Sequence, residues 1–205
     1  MLVVQDLEAR RGRRALFSGL SFRAGTGQLL RVTGANGAGK TTLLRILVGL
    51  GTPTAGEVQW QGSPLAAQRD AFHRDLVWIG HAPSLKDDLS ALENLSAAAV
   101  LAGDDLAAGD ARAALGEAGL AGREHLPARV LSAGQRRRVV LARLVRSGHR
   151  PLWVLDEPFN ALDAAATHWL TRVLKDHLAR GGLVVLTSHQ AVPVDDAPNQ
   201  MAVAL

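Results

Sequence analysis

Short apolar runs bounded by turn-forming residues recur along the chain and predict strands. In the first third they cover residues 2–8, 20–23 and 29–33, separated by the turn-rich segments 11–13 and 25–27. Later runs predict further strands at residues 57–60, 76–79, 152–155 and 183–187. No apolar run approaches the roughly 18 residues that a membrane-spanning helix needs, so each run is interpreted as a strand.

Apolar residues at helical spacing predict two helices, over residues 41–48 and 164–179. Between Ser90 and Ser147 the chain is rich in Ala, Leu and Arg in a helical pattern, and Ser90 and Glu93 have the spacing of a capping box. Alternating strands and helices with a helical segment in the middle indicate an α/β fold with a mostly parallel core sheet. The length of 205 residues, set against about 150 per domain, predicts a single domain, 1–205.

Composition narrows the class of protein. Apolar residues make up 47% and charged residues 20%, which is typical of a soluble globular protein and excludes a disordered, collagen-like or coiled-coil chain. The absence of cysteine excludes disulfides, thiolate metal sites and cysteine nucleophiles. The first residues lack the basic and long apolar segments of a signal peptide, so we expect a cytosolic chain. A net charge of only +4 leaves nucleic-acid binding possible but does not imply it.

Residues 34–41, with the sequence GANGAGKT, match the pattern G-x-x-x-x-G-K-[ST] of a phosphate-binding loop between a strand and a helix. Glycines let backbone N–H groups curl round phosphates, and the following helix N-terminus adds partial positive charge. Lys40 would neutralise the β- and γ-phosphates, and the Thr41 hydroxyl would ligate Mg²⁺. A chance glycine-rich turn is the alternative. The expected ATP-binding residues are Gly34, Ala35, Asn36, Gly37, Ala38, Gly39, Lys40, Thr41 and Thr42.

Two carboxylates follow the apolar strand at residues 152–155. In a nucleotide-binding protein, Asp156 at the carboxyl end of the strand would hold the Mg²⁺ shell. Glu157 is then placed to polarise an attacking water as a general base. Strands often end in acidic residues, and that is the alternative interpretation. The phosphate-binding loop earlier in the chain favours the catalytic one.

The segment Leu131-Ser132-Ala133-Gly134-Gln135 resembles the signature sequence of ABC-type ATPases. Residues 160–163, Asn-Ala-Leu-Asp, resemble the D-loop of that family, and His189 resembles its switch histidine, a catalytic residue. The resemblance covers essentially the whole chain. It implies a P-loop NTPase (RecA-like) core with N-terminal antiparallel strands and an inserted helical subdomain at about residues 83–148.

The same resemblance implies a head-to-tail dimer that encloses two ATP molecules. In such a dimer Ser132, Gly134 and Gln135 would bind the nucleotide held by the other copy's phosphate-binding loop. The three arginines that follow, residues 136–138, are expected to form a solvated helix face.

Three positions depart from the family pattern. Arg11 stands where an aromatic residue usually stacks on adenine; a guanidinium can still stack there, with less area. His81 stands where the family has the Q-loop glutamine, so it is included with Thr41 and Asp156 as a candidate for the metal shell. Neutral drift at a polar loop position is the alternative for His81. Ala133 also replaces the usual second glycine of the signature.

Four segments narrow the resemblance to the ATP-binding subunits of haem exporters in cytochrome c maturation: residues 80–86, 89–95, 155–163 and 187–190. This implies an ATPase at the cytoplasmic face of the bacterial inner membrane, bound peripherally to polytopic permease subunits that handle haem. The expected contact with the permease lies near residues 81–89. The alternatives are an ATPase of another exporter, or a soluble ABC-type ATPase acting on nucleic acid or ribosomes. The last is disfavoured because the chain holds one ATPase unit and only eight aromatic residues, so no nucleic-acid partner is expected.

Overall fold

A computed structural model describes residues 1–188, 194 and 199–205 of the chain. An antiparallel sheet has the strand order β2-β1-β4-β5 and consists of β1 (Leu2–Arg11), β2 (Arg14–Ala24), β4 (Ala55–Trp60) and β5 (Ser63–Pro64). A parallel sheet has the order β6-β7-β8-β3-β9 and consists of β3 (Leu29–Thr33), β6 (Leu76–Ile79), β7 (Leu152–Leu155), β8 (Leu183–Thr187) and β9 (Gln200–Ala204). The α/β fold with a mostly parallel core and N-terminal antiparallel strands is therefore confirmed.

Seven α-helices and two short 3-10 helices, at Leu65–Ala67 and Ala128–Val130, accompany the strands in the part of the chain described. The α-helices are α1 (Lys40–Leu47), α2 (Arg69–Asp75), α3 (Ala91–Leu101), α4 (Ala108–Glu117), α5 (Ala133–Leu141), α6 (Arg143–Arg146) and α7 (Ala164–Ala179). Helices α3 to α6 lie between β6 and β7 along the chain, within the range 83–148 expected for the inserted subdomain. None of the described helices combines the length and apolar character needed to cross a bilayer.

The parallel sheet separates two apolar cores because successive side chains of a strand point to opposite faces. On β7, Trp153 and Leu155 join the core formed with α7 and the inserted helices. Leu152 and Val154 join the core formed with α1 and the antiparallel sheet. All four residues of β7 are buried, as expected for a central parallel strand covered on both faces.

The parallel strands β3, β6, β7 and β8 and helix α7 have the bounds that the sequence predicts, whereas other elements differ. The first two strands extend further than predicted and form one long hairpin with several register shifts. The pattern gives no indication of α2 or of β9. The predicted capping box is present: the Ser90 N–H donates to Glu93 Oε2 at 2.7 Å, and the Glu93 N–H donates to Ser90 Oγ at 3.2 Å.

Candidate active site

The phosphate-binding loop connects the buried strand β3 to α1. Three of its glycines have positive φ angles: Gly34 at 144°, Gly37 at 78° and Gly39 at 111°. A Cβ atom on Gly34 would lie 2.9 Å from the carbonyl oxygen of Leu205, so this position has no room for a side chain. Gly39 precedes the first residue of α1 and caps it with no side chain, and the first turn contains no acidic residue. The free N–H groups of that turn therefore suit an anionic ligand.

Lys40, the first residue of α1, is buried although its side chain carries a charge. Its Nζ donates hydrogen bonds to the carbonyl oxygens of Gly34 at 2.8 Å and Ala35 at 3.1 Å. The ammonium group therefore lies over the loop. A bound phosphate would take the place of these carbonyl oxygens as the partner of Lys40 and would offer it a full negative charge. The contact of Lys40 with the β- and γ-phosphates stays a prediction.

A chain of hydrogen bonds joins the loop to the ends of β7 and β8. Thr41 Oγ1 donates to Asp156 Oδ2 at 2.8 Å, and Thr187 Oγ1 donates to Asp156 Oδ1 at 2.6 Å. The Glu157 N–H in turn donates to Thr187 Oγ1 at 2.8 Å. Asp156 is 2% exposed, so its carboxylate is held by hydroxyl donors in a water-poor place. Thr187 is a site residue that sequence reasoning missed, although its place at the end of an apolar strand beside Asp156 is a usable signal.

Glu157 combines an unusual backbone with a crowded carboxylate. Its φ angle is +49°, in the left-handed region that non-glycine residues seldom adopt. Its Oε2 atom accepts a hydrogen bond from Asn160 Nδ2 and lies 3.4 Å from His81 Nδ1. His81 is thus next to the proposed general base, while its side chain remains 64% exposed. Its assignment to the metal shell stays a prediction.

One cleft of about 350 Å³ brings together several of the predicted nucleotide-binding residues. Arg11, at the end of β1, is one of them, and the stacking of its guanidinium on a base stays a prediction. The cleft is lined by Arg11, Leu16, Asn36, Gly37, Gly39, Lys40, Thr41, Thr42 and Glu157.

Mg²⁺ binds through one or two carboxylates together with substrate phosphates. The hydroxyl of Thr41 and the carboxylate of Asp156 are hard oxygen ligands that fit it; among the described residues, no cluster of three or more His, Cys, Asp or Glu forms a separate metal site.

The signature residues lie at the N-terminus of α5 and do not line this cleft. Ser132 and Gln135 form a second capping box, in which the Ser132 N–H donates to Gln135 Oε1 at 2.9 Å and the Gln135 N–H donates to Ser132 Oγ at 3.2 Å. A Cβ atom on Gly134 would lie 2.5 Å from the carbonyl oxygen of Ala161. The loop after β7 therefore packs directly on the first turn of α5. The roles of Ser132, Gly134 and Gln135 toward a nucleotide stay predictions, and His189 lies outside the described residues.

The expectation that residues 136–138 form a solvated face is wrong for Arg137, which is 3% exposed. The guanidinium of Arg137 donates to Asp156 O at 2.8 Å and to Glu157 O at 3.0 Å. Burial lowers the pKa of Arg137 from its ordinary value, while the charges of Asp156 and Glu157 act in the opposite direction. Sequence reasoning missed this residue because it stands in a run of three arginines. The signal was its helical spacing, which places Arg137 on the same face of α5 as Val140 and Leu141.

Comparison with known proteins identifies the same family that the motifs indicate, over nearly the whole chain. The family model described as ABC transporter matches residues 17–160. The cytochrome c biogenesis ATP-binding export protein CcmA of Dechloromonas aromatica is 53% identical over 95% of this chain and 95% of that protein. The protein of the same name from Aromatoleum aromaticum is 55% identical over 94% of this chain and 90% of that protein.

Solved structures share the fold. A structure described as the ATP binding subunit of an ABC transporter has a TM-score of 0.86 and 26% identity, over 98% of this chain and 85% of that one. A dimeric ATP-binding cassette in a post-hydrolysis state, bound to ADP and phosphate, has a TM-score of 0.80 and 23% identity, over 96% of this chain and 90% of that one.

Proposed function

The chain belongs to the ABC transporter family, and from that premise we propose that it is the ATP-hydrolysing subunit of an exporter for cytochrome c biogenesis. Likeness to relatives named for that process over almost the full length supports the assignment of the process. The hydrogen bond between Thr41 and Asp156 carries the assignment of the chemistry, because it joins the phosphate-binding loop to the strand that ends in Glu157.

Positively charged groups of the loop and of α1 would bind the phosphates of the nucleotide. Lys40 would exchange its two carbonyl contacts for the β- and γ-phosphates, and the uncapped N-terminus of α1 would add N–H donors. Thr41 and Asp156 are the residues that would hold Mg²⁺, which when bound neutralises charge that develops on the phosphates. Arg11 at the rim of the cleft would lie against the base.

In the hydrolytic step, the carboxylate of Glu157 accepts a proton from water as the water oxygen attacks the γ-phosphorus. The bond between the γ-phosphorus and the β,γ-bridging oxygen breaks, and ADP carries away its electron pair. Asn160 and His81 flank one oxygen of the carboxylate and would orient it toward the water. His189 is proposed to assist this step.

Two copies are proposed to assemble head to tail. The signature residues Ser132, Gly134 and Gln135 do not reach the chain's own cleft, which supports a role at the nucleotide of a second copy. Haem-handling permease subunits are the proposed membrane partners, with the ATPase bound peripherally at the cytoplasmic face of the inner membrane. Their proposed contact is the segment 81–89.

A strain carrying Lys40→Ala tests the cellular assignment. Without the ammonium group the phosphates lose their main charge partner, so we expect normal amounts of the protein and complete loss of covalent c-type haem, with b-type haem proteins retained. Haem-stained membrane protein gels beside an immunoblot for this subunit measure both. Lys175→Ala, on α7 away from the cleft, is the matched control and should leave c-type haem unchanged. Normal c-type haem in a strain whose Lys40→Ala protein is present and inactive would assign the ATPase to another exporter.

A further inference from the structure

We propose that Arg137 is a positioning residue for the general base: it fixes the backbone of Glu157 and ties it to the signature helix of the same subunit. The inference rests on the proposed role of Glu157 and extends it to a residue that no motif assigns to catalysis. Three observations carry it, namely the bonds of the guanidinium, the conformation of Glu157 and the position of Arg137 on α5.

The guanidinium of Arg137 joins the carboxyl ends of two parallel strands. It reaches the residue that follows β6, where Nη1 donates to Gly80 O at 2.9 Å. It also donates to three consecutive carbonyls after β7: Asp156 O at 2.8 Å, Glu157 O at 3.0 Å and Pro158 O at 3.4 Å. A planar guanidinium presents five N–H donors in a fixed fork, so this set of carbonyls fixes its orientation and is fixed by it.

The backbone of Glu157 needs such restraint because its φ angle of +49° is unfavourable for a residue with a side chain. Two bonds hold it in that conformation from either side. Its N–H donates to Thr187 Oγ1 at 2.8 Å, and its carbonyl accepts from Arg137 Nη2 at 3.0 Å. Releasing the second bond would let the peptide relax toward ordinary φ values and turn the carboxylate away from the cleft.

Arg137 also connects this backbone to the signature. It lies on α5, two residues beyond Gln135 of the capping box. The same helix touches the loop after β7 a second time, where Gly134 lies against the carbonyl of Ala161. With two contacts, a displacement of the first turns of α5 would move the Glu157 peptide. In the proposed dimer, the nucleotide held by one copy contacts the signature of the other copy. Its binding would thereby affect Glu157 of the copy that contains that signature.

The test is the kinetics of Arg137→Lys in the purified full-length protein. An ammonium group keeps the buried charge but cannot hold four carbonyls in one plane. We expect kcat to fall at least about tenfold, while ATP affinity, measured by calorimetry, and ATP-dependent dimer formation, measured by size-exclusion chromatography, stay within about twofold of wild type. Loss of kcat without loss of binding is a result that a merely structural role would not produce.

Two matched controls separate positioning from general damage. Arg138→Lys makes the same change one residue along α5, at a guanidinium that donates to Gly119 O at 3.1 Å. Arg150→Lys makes it at another buried arginine, which is 5% exposed and distant from Glu157 along β7. Both should retain kcat within about twofold at 25 °C, even if Arg150→Lys lowers the melting temperature.

The outcomes distinguish the inference from the proposed function. Glu157→Gln should hydrolyse ATP at least about a hundredfold more slowly than wild type. Wild-type turnover in Glu157→Gln would remove the proposed general base and this inference with it. A slow Glu157→Gln beside an Arg137→Lys enzyme with wild-type kcat would overturn the inference alone. So would an equal loss of kcat in Arg137→Lys and Arg150→Lys, since that would mark a general effect of disturbing a buried arginine.

Discussion

Two buried arginines lie at opposite ends of strands β6 and β7, and their surroundings differ. Arg150, at the amino ends, donates to the carboxylate of Asp104 at 2.7 Å and to the carbonyl of Ala102 at the end of α3. It also donates to three carbonyls near the start of β6, those of His73, Arg74 and Leu76. Arg137, at the carboxyl ends, donates within the described part of the chain only to carbonyls, those of Gly80 and of residues 156–158. Both arginines connect the inserted helices to the core sheet.

The difference indicates that the two ends of the parallel sheet have different roles. At the amino ends the buried charge has a carboxylate partner and ordinary backbone around it, an arrangement that serves stability. At the carboxyl ends the charge holds a left-handed residue beside a buried carboxylate. This arrangement costs stability and, with the proposed role of Glu157, would serve chemistry. If this comparison is correct, changes at the amino ends should alter unfolding, and changes at the carboxyl ends should alter nucleotide chemistry.

The largest effect is expected at the amino end, for Arg150→Met. Removing one partner of a buried ion pair is strongly destabilising. Because Asp104 remains partly exposed and keeps His149 Nε2 at 3.2 Å, the loss should be near the low end of the usual range, about 3 kcal/mol of unfolding free energy. Urea unfolding followed by circular dichroism measures it. At a temperature where the variant is folded, its kcat should stay within about twofold of wild type. A large fall in kcat of the folded variant would remove the distinction between the two ends.

A second effect concerns His177, which packs against the amino end of β7 with its ring stacked on Trp153 at a centroid distance of 3.7 Å. Burial, and secondarily the charge of Arg180, lower the pKa of His177 to about 4 from 6.5. The unfolded chain takes up a proton near the ordinary pKa and the folded chain only near pH 4. The stability contributed by neutral His177 is therefore complete above the ordinary pKa and is lost as pH falls toward the folded one.

Between about pH 7.5 and pH 5, this proton uptake should lower the unfolding free energy by about 2 kcal/mol. His177→Gln should lose that part of the pH dependence, whatever its stability at neutral pH. The exposed His125→Gln serves as control and should keep the wild-type slope. An unchanged slope in His177→Gln would mean that other groups set the acid sensitivity.

The smallest effect is expected at the mouth of the cleft, where Arg11 is exposed. A planar cation over a purine contributes roughly 0.5–1 kcal/mol at an exposed site and hardly distinguishes adenine from guanine. Competition binding should therefore show less than about a tenfold preference for ATP over GTP, and Arg11→Ala should weaken both by about two- to fivefold. Arg13→Ala, in the adjacent turn, should change neither. A hundredfold preference for ATP would show that another group recognises the adenine edge.

The sequence predicts the core strands well because they are buried on both faces. Strands β7 and β8 consist entirely of buried residues, so their apolar runs begin and end with the strands themselves. Strand β9 has a single buried residue, Val203, among five, which leaves no periodic signal. Helix α2 similarly buries only Phe72 and has no side-chain cap. Tertiary contacts, not local pattern, form these two elements.

The candidate site divides in the same way. Lys40, Thr41 and Asp156 belong to contiguous motifs whose spacing is set by one loop or one strand end, so the sequence locates them. Thr187 and Arg137 contact Asp156 and Glu157 from other elements, and only the order of strands in the sheet and the packing of α5 bring them there. Because Arg137 stands in a polar run, the local composition does not indicate that it is buried. Its spacing from the apolar residues of α5 does indicate it.

The contact between Gly134 and the carbonyl of Ala161 has a consequence for genetics. A substitution at Ser132 removes a cap of α5 but leaves the contact of Gly134 with Ala161, so it should impair chiefly the site on the partner copy. A mixed dimer would then keep one working site. A larger residue at Gly134 would in addition displace the loop that follows its own Glu157. Mixed dimers would then lose both sites, and an allele at Gly134 should be dominant in cells that also express the wild-type gene, whereas an allele at Ser132 should be partly complemented.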